Sequence, residues 1–124
     1  MWSVDYEYIR AWLDDQDIDT VKYIFAALKR LEQQGPMLGR PLVDTLKGTQ
    51  VKNLKELRPA SPGRTEIRIL FAFDPKRKAV MLLGGDKSQG KNGRTKWSGW
   101  YKEAIPKAEA IYRQHLAQMG EHDE

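Results

Sequence analysis

The sequence predicts an α+β domain: a twisted, mainly antiparallel sheet with N-terminal helices packed on one face and a helix at the C-terminus. Three observations carry this. Thr65–Phe73 alternates with period two, placing Ile67, Ile69, Phe71 and Phe73 on one face and Glu66, Arg68, Leu70 and Ala72 on the other. Ala79-Val80-Met81-Leu82-Leu83 is a continuous apolar run, as expected of a buried central strand. Val21, Ile24, Phe25, Leu28 and Leu31 recur at helical spacing, as do Ile105, Ala108, Tyr112, Leu116 and Met119.

The elements follow in order. Trp2–Tyr6 alternates and predicts a short strand. Tyr8, Ile9, Trp12 and Leu13 predict a short helix. A longer helix begins after Asp14–Asp19, with Asp17 or Asp19 as its N-cap, and stops at Gly35-Pro36. Met37–Gly48 reads as a loop, and a strand is expected near Lys52–Arg58. Pro59–Gly63 is a turn and Asp74–Arg77 a hairpin turn between the two clearest strands. Gly84-Gly85 is expected to end the second of these, Ser88–Lys96 to be a polar loop, and Trp97–Met119 to be a helix kinked or restarted at Pro106. The helices are expected to leave the second face of the sheet open.

Composition narrows the function. With 124 residues the chain has the length of one domain, taken as 1–124. It has no Cys and two His, which excludes disulfide frameworks, thiol catalysis and a multi-His metal site. No apolar run approaches a membrane span, and Met1–Tyr6 lacks the features of a signal peptide, so a cytoplasmic protein is expected, with no membrane partner and no cofactor. Charge is unevenly distributed: residues 1–39 carry 4 Lys/Arg and 7 Asp/Glu, residues 40–107 carry 16 and 6, and residues 108–124 carry 1 and 4. A strongly basic middle between acidic ends points to a polyanion, most simply a nucleic acid. The alternative is a solvated charged face without a partner.

The basic residues suggest a phosphate cradle. Lys52, Lys55 and Arg58 lie in or beside one strand, Arg64 in the turn, Arg68 on the face away from Ile67 and Ile69, and Lys87 just past the buried strand. Lys91, Arg94 and Lys96 follow in the loop. RNA brings its own nucleophile, the 2′-hydroxyl. An enzyme that cleaves it needs a proton acceptor and cations for the charge that develops on the phosphate. Arg suits the second task, and Lys the first if neighbouring cations lower its pKa. Trp97, Trp100 and Tyr101 could stack on a base, or simply pack in the core. Arg68 could instead pair with Glu56 or Glu66, and His115 reads as a core-edge residue.

Several segments together resemble the HigB-like toxins of the RelE/ParE superfamily, in particular their phage-derived branch. They are Leu38-Gly39-Arg40-Pro41, Lys52-Asn53-Leu54-Lys55-Glu56-Leu57-Arg58, Arg68-Ile69-Leu70-Phe71-Ala72-Phe73-Asp74-Pro75, Leu82-Leu83-Gly84-Gly85-Asp86-Lys87, Trp100-Tyr101-Lys102 and Ile111-Tyr112. The resemblance implies a RelE-like fold and the toxin of a type II toxin–antitoxin module. Such a toxin is a ribosome-dependent, metal-independent mRNA endoribonuclease, held in a hetero-oligomer by a helix-turn-helix antitoxin. It implies Arg68, Lys87, Arg58, Lys55 and Tyr101 as the catalytic group; the charge pattern adds Lys52, Arg64, Lys91, Arg94 and Lys96 as expected RNA-binding residues. The site region has no His, so proton transfer would fall to Lys55 or Lys87. A gyrase inhibitor of the ParE kind and a non-catalytic binding protein are the alternatives.

Overall fold

The structure is a computed structural model that describes residues 2–88 and 96–123, with side chains for 2–88 and 99–120. Its strands are β1 (Ser3–Asp5), β2 (Val43–Thr45), β3 (Lys55–Leu57), β4 (Ile67–Phe73) and β5 (Lys78–Asp86). Its helices are α1 (Arg10–Asp14), α2 (Ile18–Gln34) and α3 (Lys96–Asp123). The five strands form one sheet in the order β1-β5-β4-β3-β2. All pairings are antiparallel except β1 with β5, which is parallel. This is the mainly antiparallel α+β sheet expected of a RelE-like fold.

α2 begins where the acidic break predicts. Asp17 is the N-cap, its Oδ1 accepting from the Thr20 amide at 2.8 Å, and the Thr20 side chain first, then that amide, hold its carboxyl below the usual carboxylate range. The helix ends at Gly35, whose φ of 55° suits glycine and whose missing Cβ leaves room for the Trp2 indole. Ile24, Ala27, Leu28 and Leu31 form its buried stripe, whereas Phe25 stays 39% exposed at the flank beside Tyr6.

Both faces of the sheet are covered. On one face Ile67, Ile69, Phe71, Ala79 and Met81 pack against α1 and α2. On the other, Leu70, Ala72, Val80 and Leu82 pack against Ala104, Ala108 and Tyr112 of α3. The expected open face is therefore roofed by α3 along part of its length. α3 passes Pro106 as one helix because Pro106 and Lys102, the residue whose carbonyl loses its partner, both face solvent. His115 and Glu109 are buried on α3, whereas Leu116, expected in its apolar face, is 36% exposed.

The strand ends also differ from expectation. β2 forms within the expected loop, and Gly84-Gly85 lies inside β5. Between the pairs Leu70↔Leu83 and Phe71↔Met81, Leu82 is an extra residue, a bulge in β5. Before it, Ala79 and Met81 face α2. After it the parity reverses: a Cβ on Gly84 would run into Trp12, and one on Gly85 into Trp100. The bulge thus turns Gly85, and Lys87 two residues on, toward α3.

Candidate active site

The site forms where α3 stops sealing the sheet. A cleft of about 570 Å³ is lined by side chains that include Asp44, Glu56, Arg58, Lys87, Tyr101 and Ile105, with Arg40 and Lys47 at its rim. β2 supplies Asp44, and three further elements supply the other central charges. β3 contributes Glu56 and, just beyond its end, Arg58; β4 contributes Arg68, paired with Gly85; and the turn after β5 contributes Lys87.

Glu56 is the centre of this arrangement, with a side chain only 1% exposed. Its Oε1 accepts from Arg58 Nε at 2.8 Å, with Nη2 at the same distance, and its Oε2 accepts from the Tyr101 hydroxyl at 2.5 Å. Asp44 Oδ2 accepts from Arg58 Nη2 at 3.2 Å and from Arg40 Nη2 at 3.1 Å. Burial works against the Arg58 charge, but Glu56 and Asp44 more than offset it and raise the pKa of the guanidinium. Arg58 is therefore a fixed cation.

Lys87 is driven the other way. Burial, then the Arg68 charge, lower its pKa below the usual lysine value, against weaker opposing pulls from Glu66 and Glu56. Its Nζ lies 5.8 Å from the centre of the Tyr101 ring. Tyr101 is pushed well above its ordinary value, by burial first and then by its bond to Glu56, while Arg68 pulls it down. Arg68 Nη1 donates to the Ile67 carbonyl at 2.8 Å, and its buried Nε has no hydrogen-bond partner among the described residues.

Of the five residues expected to be catalytic, the structure brings together Arg58, Arg68, Lys87 and Tyr101. Lys55 does not join them. In β3 it shares the face of Leu57, which packs in the α2-side core, and its Nζ donates to Thr45 Oγ1 at 3.1 Å. Lys52 and Arg64 are exposed in the turns that flank β3 and β4. Lys91 and Arg94 lie outside the described residues, as does the side chain of Lys96 at the start of α3. Trp100 covers Gly85 and packs edge-to-face on Tyr101, centroids 5.0 Å apart, so it is a wall of the site. The sequence reading missed Glu56 as a site residue; its signal is a lone carboxylate amid the basic run Lys52–Arg58.

A family model described as phage-derived protein Gp49-like matches residues 11–113, which contain β2 to β5 and every described residue of the cleft. This chain belongs to the phage-derived Gp49-like family. Two curated relatives, both from Mycobacterium tuberculosis (strain ATCC 25618 / H37Rv), are named as candidate toxins. This Gp49-like chain is 52% identical to HigB2 over 118 residues, covering 95% of itself and 56% of that relative. It is 44% identical to HigB3 over 109 residues, covering 88% of each. The chain thus spans little more than half the length of the first relative and most of the second. The HigB-like, phage-derived resemblance read from the segments above is the family these matches show.

Proposed function

We propose that this Gp49-like protein is the toxin of a type II toxin–antitoxin module and a ribosome-dependent mRNA endoribonuclease. The observation that carries the reading is the convergence of Arg58 and a lysine of lowered pKa, Lys87, on one cleft, with the Arg68 charge near enough to help lower that pKa. Support for the toxin assignment comes from the names of the two relatives.

The cleft suits in-line attack by the RNA 2′-hydroxyl. Neutral Lys87 takes the 2′-proton as the 2′-oxygen bonds to phosphorus. Arg58 and Arg68 hold the phosphate oxygens as negative charge builds up. The bond to the 5′-oxygen breaks, that oxygen takes a proton from water in the open cleft, the Lys87 ammonium returns its proton to the hydroxide so formed, and a 2′,3′-cyclic phosphate and a 5′-hydroxyl result. Phosphate, Arg and Lys suffice for these steps, so the toxin itself is proposed to need no metal ion. Tyr101 serves as a wall and auxiliary. In the reading proposed here the ribosome presents the RNA, and a helix-turn-helix antitoxin binds the toxin in a hetero-oligomer.

Translation of a defined mRNA with purified ribosomes tests this, with primer extension mapping the cuts. Cuts that need both ribosomes and Lys87 are expected. Lys87→Arg keeps the charge but cannot deprotonate at working pH, so retained cleavage would remove Lys87 as the base. Inhibition of gyrase without RNA cuts would replace the reading with a protein-targeting one.

A further inference from the structure

Glu56 is a carboxylate placed where carboxylates are costly: almost fully buried, in a three-residue strand, beneath a cluster of cations. Both of its oxygens are engaged, Oε1 along one edge of Arg58 and Oε2 by the Tyr101 hydroxyl. A carboxylate so held has no lone oxygen to offer a substrate proton. Its effect on Arg58 is geometric. Glu56 takes Nε and Nη2, and Asp44, itself held by the Thr45 amide at 3.0 Å, takes Nη2 as well. Nη1 makes no hydrogen bond to the described residues, so with Nε and Nη2 clamped by the two carboxylates it is Nη1 that is left to meet an anion. The second oxygen acts on the opposite wall, tying α3 to β3 through Tyr101, whose ring faces Lys87.

We propose that Glu56 is a positioning residue of this cleft: it aims Arg58 at the RNA phosphate and fixes the Tyr101 wall under Lys87, without touching the RNA. The inference rests on the ribonuclease reading for the reaction it serves, but not for the anion site it builds.

A double-mutant cycle tests it. The wild-type protein, Glu56→Gln, Arg58→Ala and the double variant are compared in binding to a 2′-O-methyl oligoribonucleotide, which cannot be cleaved, and in ribosome-dependent cleavage. Glu56→Gln is expected to weaken oligonucleotide binding about 3- to 10-fold and to lower kcat about 10- to 100-fold. The double variant is expected to lose clearly less than the product of the two single losses, since much of the effect of Glu56 passes through Arg58 and only the Tyr101 contact remains to be lost. Tyrosine absorbance supplies a readout independent of RNA: in Glu56→Gln one tyrosine titrates lower than in the wild type, and Tyr101→Phe removes it. If Glu56→Gln fails to fold, Glu56→Asp, too short to reach both donors, takes its place in the cycle with smaller losses of the same pattern.

Losses that multiply in the double variant would overturn the proposal, because Glu56 would then act on RNA itself. Unchanged binding and cleavage in Glu56→Gln would overturn it too. Absent wild-type cleavage with a non-additive binding cycle would defeat the ribonuclease reading and leave the role of Glu56 standing. Wild-type cleavage with a multiplicative cycle would do the reverse.

Discussion

Two buried carboxylates flank β4, Glu56 opposite its middle residue Leu70 and Asp74 just past its C-terminal end, and they do different work. Asp74 closes the β4–β5 turn. Its Oδ1 accepts from the Lys76 and Lys78 amides at 2.9 and 3.0 Å, and its Oδ2 lies 2.9 Å from His115 Nε2. The other nitrogen of His115 meets the Tyr8 hydroxyl at 3.0 Å, and the ring stacks on Tyr112. That network joins turn, α3 and the N-terminal segment. Glu56 also binds a basic side chain and a tyrosine, but it lies beneath three cations and beside a cleft. At Asp74 the donors point inward at a single acceptor. At Glu56 the positive charge exceeds what the carboxylate can use. A buried acid by itself marks structure; a buried acid with surplus cations around an opening marks a site for an anion.

The largest effect that would separate the two is on cleavage. Arg68→Ala is expected to reduce ribosome-dependent cleavage by roughly 100- to 1000-fold, the typical loss on removing one group that stabilises transition-state charge. His115→Ala is expected to leave cleavage per folded molecule unchanged, as primer extension with matched folded protein would measure. Stability should respond in the opposite way. Asp74→Ala leaves two turn amides and His115 without their acceptor and is expected to cost about 3–5 kcal/mol. Calorimetry would read this as a fall in Tm of roughly 10 °C or more.

The paired glycines of β5 sharpen the comparison further. A methyl on Gly84 would displace Trp12 on the α2 side, and one on Gly85 would displace Trp100 on the α3 side. Each is expected to cost about 1–3 kcal/mol by overpacking. Only Gly85→Ala is expected to lower cleavage as well, roughly tenfold, because Trp100 supports Tyr101. Equal activity losses in both variants would break the distinction between the two faces.

The smallest effect is in pH. Lys87 acts as a base only when neutral, and its pKa lies below the ordinary lysine value of 10.5. Cleavage is therefore expected to rise with pH and level off before that value. Stability follows the same sign: between the folded and unfolded pKa values the unfolded chain binds the extra proton, so raising pH through that window favours the fold. A cleavage profile flat between neutrality and pH 10 would remove Lys87 from proton transfer.

Much of the fold was legible in the sequence because local patterns carried it. The alternation of β4, the apolar run of β5, the stripe of α2 and the Asp17 cap are short-range signals, and each is present in the structure. What was not legible depended on partners far away in sequence. β1 pairs in parallel with β5, and β2 exists through its pairing with β3. The bulge at Leu82 reverses which residues face α3, and nothing in a continuous apolar run marks it. β3 shows why Lys55 and Glu56 were hard to place. Leu54 packs in the α3-side core and Leu57 in the α2-side core, so apolar residues fall on both parities. With both faces covered, alternation no longer says which neighbour points into the cleft. The basic cluster was legible as charge, whereas the lone carboxylate within it, Glu56, shows its burial and its partners only in three dimensions.

On the function proposed above, the cleft built around Glu56 cuts translated RNA while the network built around Asp74 only holds the fold. Mapping RNA 5′-hydroxyl ends across the transcriptome, within minutes of inducing the wild-type protein, Arg68→Ala or His115→Ala, tests it most directly. New ends inside translated frames with the wild type and His115→Ala, absent with Arg68→Ala, are the predicted result. Growth arrest by the wild type without new ends, or the same ends from Arg68→Ala, would contradict it.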